Sequence, residues 1–223
     1  MNLFSEENMK KIVVPAVIAK NQEELDGIFE KISGHADLVQ LDIMDGHFVP
    51  NHSLDFDFRI PQEKHTYEAH LMVDDPNLWI NSYGSKMDTI IAHFESPTTS
   101  MDTIHSIKKM GKNAALAVNP ETEIEEIVDY LDDLDQVLIM TVNPGFYGSP
   151  FLPEVMAKIT KLRQLRPELD IEVDGGIKPE TIAMVAQAGA NLFVSGSYLV
   201  KSDNMQERIQ VLHTKIQDEG SSS

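Results

Sequence analysis

Apolar residues gather along this chain in eight short β-prone runs, at 12–18, 37–43, 66–72, 88–94, 113–118, 135–142, 170–174 and 191–195, starting roughly 20 to 35 residues apart. Helical patterns separate most of them. Asn21, followed by Glu24, resembles a capping box ahead of "ELDGIFEKIS". "ETEIEEIVDYL" carries acids in its first turn and apolar residues at helical spacing. "PEVMAKITKLRQL" and "PETIAMVAQAG" open with proline at the first helical position, and the second closes on glycine. Alternating strands and helices imply parallel strands joined by crossover helices. Eight such units in 223 residues predict an α/β chain folded as a (β/α)8 TIM barrel, with an open doubly wound sheet as the alternative. Composition does not break along the chain, so one domain is expected over 1–217, followed by a disordered tail at 218–223. The second unit is irregular: "HFVPNHSLDFDFRIPQEKH" puts a long loop where a helix belongs, and long loops in compact domains are usually functional.

Composition narrows the partners. The net charge is −18, from 18 basic and 36 acidic residues, which opposes nucleic acid and anionic membrane as partners. A phosphate ligand must then be held by local backbone dipoles. The absence of cysteine excludes disulfides, thiolate catalysis and cysteine-ligated zinc. "MNLFSEENMKK" lacks the apolar stretch of a signal peptide, and no run is long enough to span a membrane, so a cytoplasmic protein is expected.

The polar residues inside the strand runs carry the chemistry. In "LVQLDIMD", a period of two puts Gln40, Asp42 and Met44 on one face and Val39, Leu41 and Ile43 on the other. The same period groups Glu68, His70 and Met72, and then Ile91, His93 and Glu95. Met140 and Asp174 end later strands, and Gly196 and Ser197 follow the last. In a barrel these strand ends converge on one mouth, where active sites lie. Taken singly, each has an ordinary explanation. Asp42 or Asp174 can cap a turn, His70 can be a core histidine, and the methionines can be core filler. Asp45 reads as structural, since it faces away from Asp42 and begins a "DG" turn. His47, His52 and His65 read as loop residues. "DGG" and "SGS" at the ends of the last two strands together match the barrel phosphate site. It is the joint pattern that points to a site.

The stretches "LDIMDGHFVPN", "AHLMV", "AHFES", "VLIMTVNPGFYG", "EVDGGI" and "VSGS", in this order from about Pro15 to Ser197, resemble the ribulose-phosphate 3-epimerase family. That resemblance implies a TIM-barrel isomerase of the pentose phosphate pathway, interconverting D-ribulose 5-phosphate and D-xylulose 5-phosphate with one divalent metal, often zinc or iron. By the same resemblance Asp42 and Asp174 are the acid–base pair and, with His70, the metal ligands. Met44, Met72 and Met140 line the reacting carbons. Gly145, Phe146, Tyr147 and Gly148 form a flap, while Gly175, Gly176, Gly196 and Ser197 hold the phosphate. A homo-oligomer is also implied.

The chain departs from the family pattern at several positions. Gln40 stands where the family has a metal-binding histidine, and an amide oxygen is a harder, weaker ligand than imidazole. Ala16 replaces a substrate-contacting serine, and Asn21 replaces an aspartate. Tyr147 and Ser149 alter the flap. These changes imply altered metal affinity or preference, manganese or magnesium included, or a different sugar phosphate such as allulose 6-phosphate. The alternatives are a non-catalytic sugar-phosphate-binding paralogue and another phosphate-binding barrel.

Overall fold

A computed structural model describes residues 9–61, 65–145 and 149–218. Eight parallel strands alternate with helical segments: β1 (Ile12–Val17), β2 (Leu38–Asp45), β4 (Thr66–Met72), β5 (Thr89–His93), β6 (Asn113–Val118), β7 (Gln136–Met140), β8 (Asp170–Asp174) and β9 (Leu192–Ser195). A two-residue β3 (His52–Ser53) pairs antiparallel with the end of β2. Each parallel strand pairs with its neighbour in turn, and β1 pairs with β2 to close the ring. The fold is therefore a TIM barrel.

Alternation along the strands divides two cores. Outward residues such as Leu41, Leu71, Ile90, Val137 and Phe193 share one continuous hydrophobic layer with α1 (Gln22–Ile32), α2 (Pro76–Tyr83), α3 (Met101–Lys109), α4 (Met156–Leu165) and α5 (Ile182–Ala188). Inward residues contribute to three smaller apolar clusters. Ile91, Ala115, Leu138 and Met140 make one, Val14, Ala16 and Val194 a second, and Met44 and Met72, with Val49, a third. Between them lie buried polar side chains: Gln40, Asp42, Glu68, His70, His93 and Glu172. A packed barrel interior is ordinarily aliphatic, so this polar sector marks the site.

Local chemistry accounts for most element ends. Asn21 caps α1 by accepting the Glu24 N–H at 3.0 Å, and Glu24 in turn accepts the Lys20 N–H at 2.8 Å. Asn21 is thus a helix cap, and asparagine serves there as well as aspartate. Gly189 ends α5 in the left-handed conformation expected of a terminating glycine. Two expectations need correction. "ETEIEEIVDYL" forms 3-10 turns over Ile124–Tyr130, with the Glu126 N–H bonded to the Glu123 carbonyl. Anchoring of Asn119 and Thr122 to Glu95 overrides the helical periodicity. Pro179 lies ahead of α5, in a turn pinned by the Thr181 hydroxyl donating to the Gly176 carbonyl at 2.7 Å. Beyond Asp218, the expected tail lies outside the described residues.

The irregular second unit folds back over the mouth. Asp45 organises it: one carboxylate oxygen accepts the N–H groups of His47 at 2.8 Å and Phe48 at 3.0 Å, and the other accepts that of Asp74 at 2.8 Å. Ser53 and Leu54 tie the loop to the end of β1 through Ala19. Leu54 is held at φ 52° while buried, a conformation unfavourable for leucine that these bonds maintain. The His47 side chain is exposed. His52 is exposed beside Asp55, and the half-buried His65 donates Nδ1–H to the Ala36 carbonyl at 2.9 Å. The three loop histidines therefore stay out of the mouth. Among the described residues, no helix is long and apolar enough to cross a membrane.

Burial raises the Asp45 carboxyl pKa, but the N–H groups of Asp74, His47 and Phe48 outweigh it and hold the pKa below its ordinary value. A depressed folded-state pKa stabilises the fold above the unfolded carboxylate range and loses that increment as pH falls through the folded value. Asp45→Ala is expected to lose about 1–2 kcal/mol at pH 7, screening by solvent included. The difference from wild type should shrink at about pH 3, as read by urea unfolding at both pH values.

Candidate active site and metal centre

Register places Asp42 level with His70, and Met44 level with Met72, across β2 and β4. Across β7 and β8 it sets Met140 level with Asp174. Asp42 and Asp174 approach each other from strands separated on the sheet by β9 and β1. The buried Gln40 amide lies between them: its Nε2 donates to Asp42 Oδ1 at 2.7 Å and to Asp174 Oδ2 at 2.9 Å. His70 Nδ1 faces the same two oxygens, at 3.4 and 3.3 Å. Burial opposes charge on His70, but the Asp174 and Asp42 carboxylates outweigh it and push its pKa up to about 9. Burial pushes Asp42 up, and the neighbouring Asp174 charge adds to this.

A second row of groups stands behind His70. Its Nε2 lies 2.9 Å from His93 Nε2, and His93 Nδ1 lies 3.2 Å from Glu95 Oε2. Burial pushes His93 down to about 4, so it is neutral near pH 7. The proton order follows: His70 Nε2–H donates to His93, and His93 Nδ1–H donates to Glu95. This leaves His70 Nδ1 as the nitrogen that faces the mouth. Burial raises Glu95, but bonds from His93, Thr122 and the Asn119 N–H (2.7 Å) outweigh it and hold Glu95 below its usual range. Lys158 steadies the same loop by donating to the Asn119 and Pro120 carbonyls at 2.9 and 2.8 Å. Phe48, from the irregular loop, covers His93 at a ring-centroid distance of 4.8 Å. Sequence reasoning placed His93 and Glu95 at the mouth but gave them no task. Their spacing of two on one strand face was the available signal. Phe48 and Thr122 had none.

On the same inward faces, two residues before His70 and Asp174, lie Glu68 and Glu172. Both are fully buried, and Gln136 donates to Glu172 Oε2 at 2.5 Å. Burial pushes both carboxyls up, Glu172 the further because of the adjacent Glu68. The pair is best satisfied by sharing a proton, which keeps a further negative charge from forming beneath the aspartates.

The pocket above is lined by Met44, Met72 and Met140 and by Gly175, Gly176, Gly196 and Ser197. Gly175 has φ 115°, and a Cβ there would lie 2.4 Å from Val142, so only glycine fits. Gly145 lines the rim, its carbonyl accepting from Asn51. The rest of the expected flap, Phe146, Tyr147 and Gly148, lies outside the described residues. Ala16 lines the pocket, in register with Gln40. Asn21 takes no part in it. Ser149, noted as a departure in the flap, also lines it, as do Lys178 and Tyr198, to which no motif had pointed.

The donor set fits a divalent cation. Among the described residues, one oxygen each of Asp42 and Asp174 and a ring nitrogen of His70 lie within 4.8 Å of one another. Two carboxylates and an imidazole form a mixed oxygen–nitrogen set common to several divalent metals. The buried Gln40 Oε1, which has no hydrogen-bond partner, is a further oxygen in the same cluster.

A family model described as the ribulose-phosphate 3 epimerase family matches residues 12–200. The ribulose-phosphate 3-epimerase of Eremothecium gossypii is 32% identical over 227 residues, covering 95% of each chain. The cytoplasmic isoform of the Oryza sativa subsp. japonica enzyme is 38% identical over 190 residues, covering 82% of this chain and 83% of its own. Among solved structures, 3-hexulose-6-phosphate synthase from Salmonella typhimurium superposes with a TM-score of 0.64 at 12% identity, over 93% of this chain and 99% of its own, and so shares the fold. By the family match and these relatives, the chain belongs to the ribulose-phosphate 3-epimerase family and is an epimerase acting on a ketose phosphate.

Proposed function

We propose that this epimerase interconverts D-ribulose 5-phosphate and D-xylulose 5-phosphate, with Asp42 and Asp174 exchanging the proton at C3. The observation that carries the reading is the pairing of two carboxylates from separated strands at the floor of one pocket. Inversion at carbon needs a base on one face and an acid on the other. Burial raises the Asp42 carboxyl above its ordinary value, the direction that suits a group that both gives and takes a proton. The three methionine side chains wall the planar intermediate without offering an acidic proton. Backbone N–H groups around Gly175, Gly176, Gly196 and Ser197 are assigned to the phosphate, with Lys178 as the cationic side chain lining that pocket. The flap at 145–148 is assigned to water exclusion.

Asp42, His70 and Asp174 would hold the divalent cation. When bound, it supplies Lewis-acid stabilisation of charge developing on the substrate oxygens. Zinc or iron follows from the family. Manganese or magnesium gains weight from Gln40, since an amide oxygen is a hard donor. A cytoplasmic location is supported by the rice relative, which is a cytoplasmic isoform.

Asp42→Asn and Asp174→Asn are each expected to lower kcat by about 10²- to 10⁴-fold with little change in KM. The direct assay is deuterium incorporation at C3 in heavy water, with the protein's metal content known and varied. Exchange accompanied by xylulose 5-phosphate supports the reading. Turnover of allulose 6-phosphate in preference to ribulose 5-phosphate would replace the substrate. Tight binding of either sugar phosphate without exchange, under every divalent metal, would identify a binding paralogue; Gln40, bonded to both carboxylates where the family has a metal-binding histidine, favours this second reading.

His93→Ala should strip His70 Nε2 of its acceptor inside the barrel. The expected cost is about 1–3 kcal/mol of stability and about 10- to 100-fold in metal affinity. Thermal unfolding and metal titration measure the two, and an unchanged metal affinity would remove His93 from the site.

A further inference from the structure

We infer that the Gln40 amide is a built-in stand-in for the cation: its NH2 group holds the two carboxylates when no metal is bound, and a half-turn of the amide presents Oε1 as a ligand when one enters. The inference deepens the proposed function, since it rests on reading Asp42, His70 and Asp174 as the metal-holding set.

Gln40 is fully buried, and its two ends are treated differently. Nε2 lies 2.7 Å from Asp42 Oδ1, 2.9 Å from Asp174 Oδ2 and 3.4 Å from His70 Nδ1, the three residues that make up the candidate cation site. The two hydrogens of one nitrogen thus serve the two carboxylates of that set, with the His70 ring beside them. Among the described residues, Oε1 has no hydrogen-bond partner. Buried amide oxygens are nearly always satisfied, so an orphan here marks a group kept for a second arrangement. Only the NH2 end can face two carboxylates without a cation, because a carbonyl oxygen would add a third negative dipole to the cluster. With a cation present the preference reverses: NH2 has no lone pair to give, and Oε1 has. Rotation about Cγ–Cδ exchanges the two ends without moving the backbone. As a neutral oxygen, Oε1 favours hard divalent ions over soft ones. Gln40 would thus act as a positioning group in the metal-free protein and a selectivity group in the loaded one.

The test uses nitrogen-labelled full-length protein, first stripped of metal, and Gln40→Glu, which keeps the shape and replaces NH2 with oxygen. In the metal-free wild type, the Gln40 side-chain NH2 signals should be shifted and slow to exchange with solvent. They should move on adding Zn²⁺ or Mg²⁺. Gln40→Glu should lower the melting temperature of the metal-free protein and tighten Mn²⁺ and Zn²⁺ binding by about 10- to 100-fold, read by calorimetry. Gln40 amide protons exchanging like those of an exposed glutamine would overturn the inference, even if the variant fails to fold. Equal metal affinity in the two proteins would also overturn it. If neither protein binds any divalent metal, the turn and the metal reading fall together. Slow NH2 exchange and metal-induced movement in a protein that never exchanges C3–H would leave this inference standing and remove the proposed reaction.

Discussion

Asp42 and Asp174 are forced together by barrel closure, and their mutual repulsion constrains most of what surrounds them. At a separation of no more than 4.8 Å, two unit charges in a partly buried setting repel by about 3 kcal/mol or more. Solvent relieves little of this, because Asp42 is buried. The relief is local: two hydrogens of one Gln40 amide, and a His70 ring whose pKa those same carboxylates raise to about 9. Removing either helper would leave buried charge uncompensated, which costs more than an exposed ion pair ever contributes.

The rest of the polar interior follows from that demand. His70 keeps a fixed orientation only if its far nitrogen has an acceptor, and neutral His93 provides one. His93 in turn needs a group to take its other proton, and Glu95 does so. Glu95 stays ionised because Asn119 and Thr122 bond to it, and those residues belong to a loop that Lys158 holds by its carbonyls. The chain of dependence thus runs from the mouth out to α4. Glu68 and Glu172 meet the same electrostatic limit in the opposite way, by burial that favours the protonated form.

Fold and site were legible in the sequence to different depths. Strand period two placed Asp42 with Gln40 and His70 with Glu68 correctly, because buried strands leave little freedom in which face a side chain takes. Strand ends shifted by a residue or two, as at β5 and β7, where the side chains of the flanking Asp88 and Asp135 accept the N–H groups of Tyr67 and Ala114. The 3-10 turns at 124–130 were not legible, since their cause is a tertiary bond to Glu95. The capping role of Asn21 was legible from Glu24 three residues on, and the bond from the Glu24 N–H bears it out. The Gln40 substitution was visible, but its meaning was not. Residue type alone shows a weaker ligand, whereas the geometry shows a donor serving two acceptors.

Charge at long range sets a last condition on the site. A chain of net charge −18 repels a phosphorylated sugar before contact, so association gains nothing from steering. The pocket must compensate at short range. Among the described residues, Lys178 lines the wall and His70 lies beside the aspartates as cationic groups. The turn after β8 packs so closely on Val142 at Gly175 that no Cβ fits, and Gly175, Gly176 and Gly196 line the pocket with bare backbone. Screening should shorten the reach of the repulsion without weakening those contacts, since the Debye length is about 8 Å at physiological salt. Recognition in this barrel is therefore a property of its innermost few ångströms, where Gln40 and His70 balance the carboxylates.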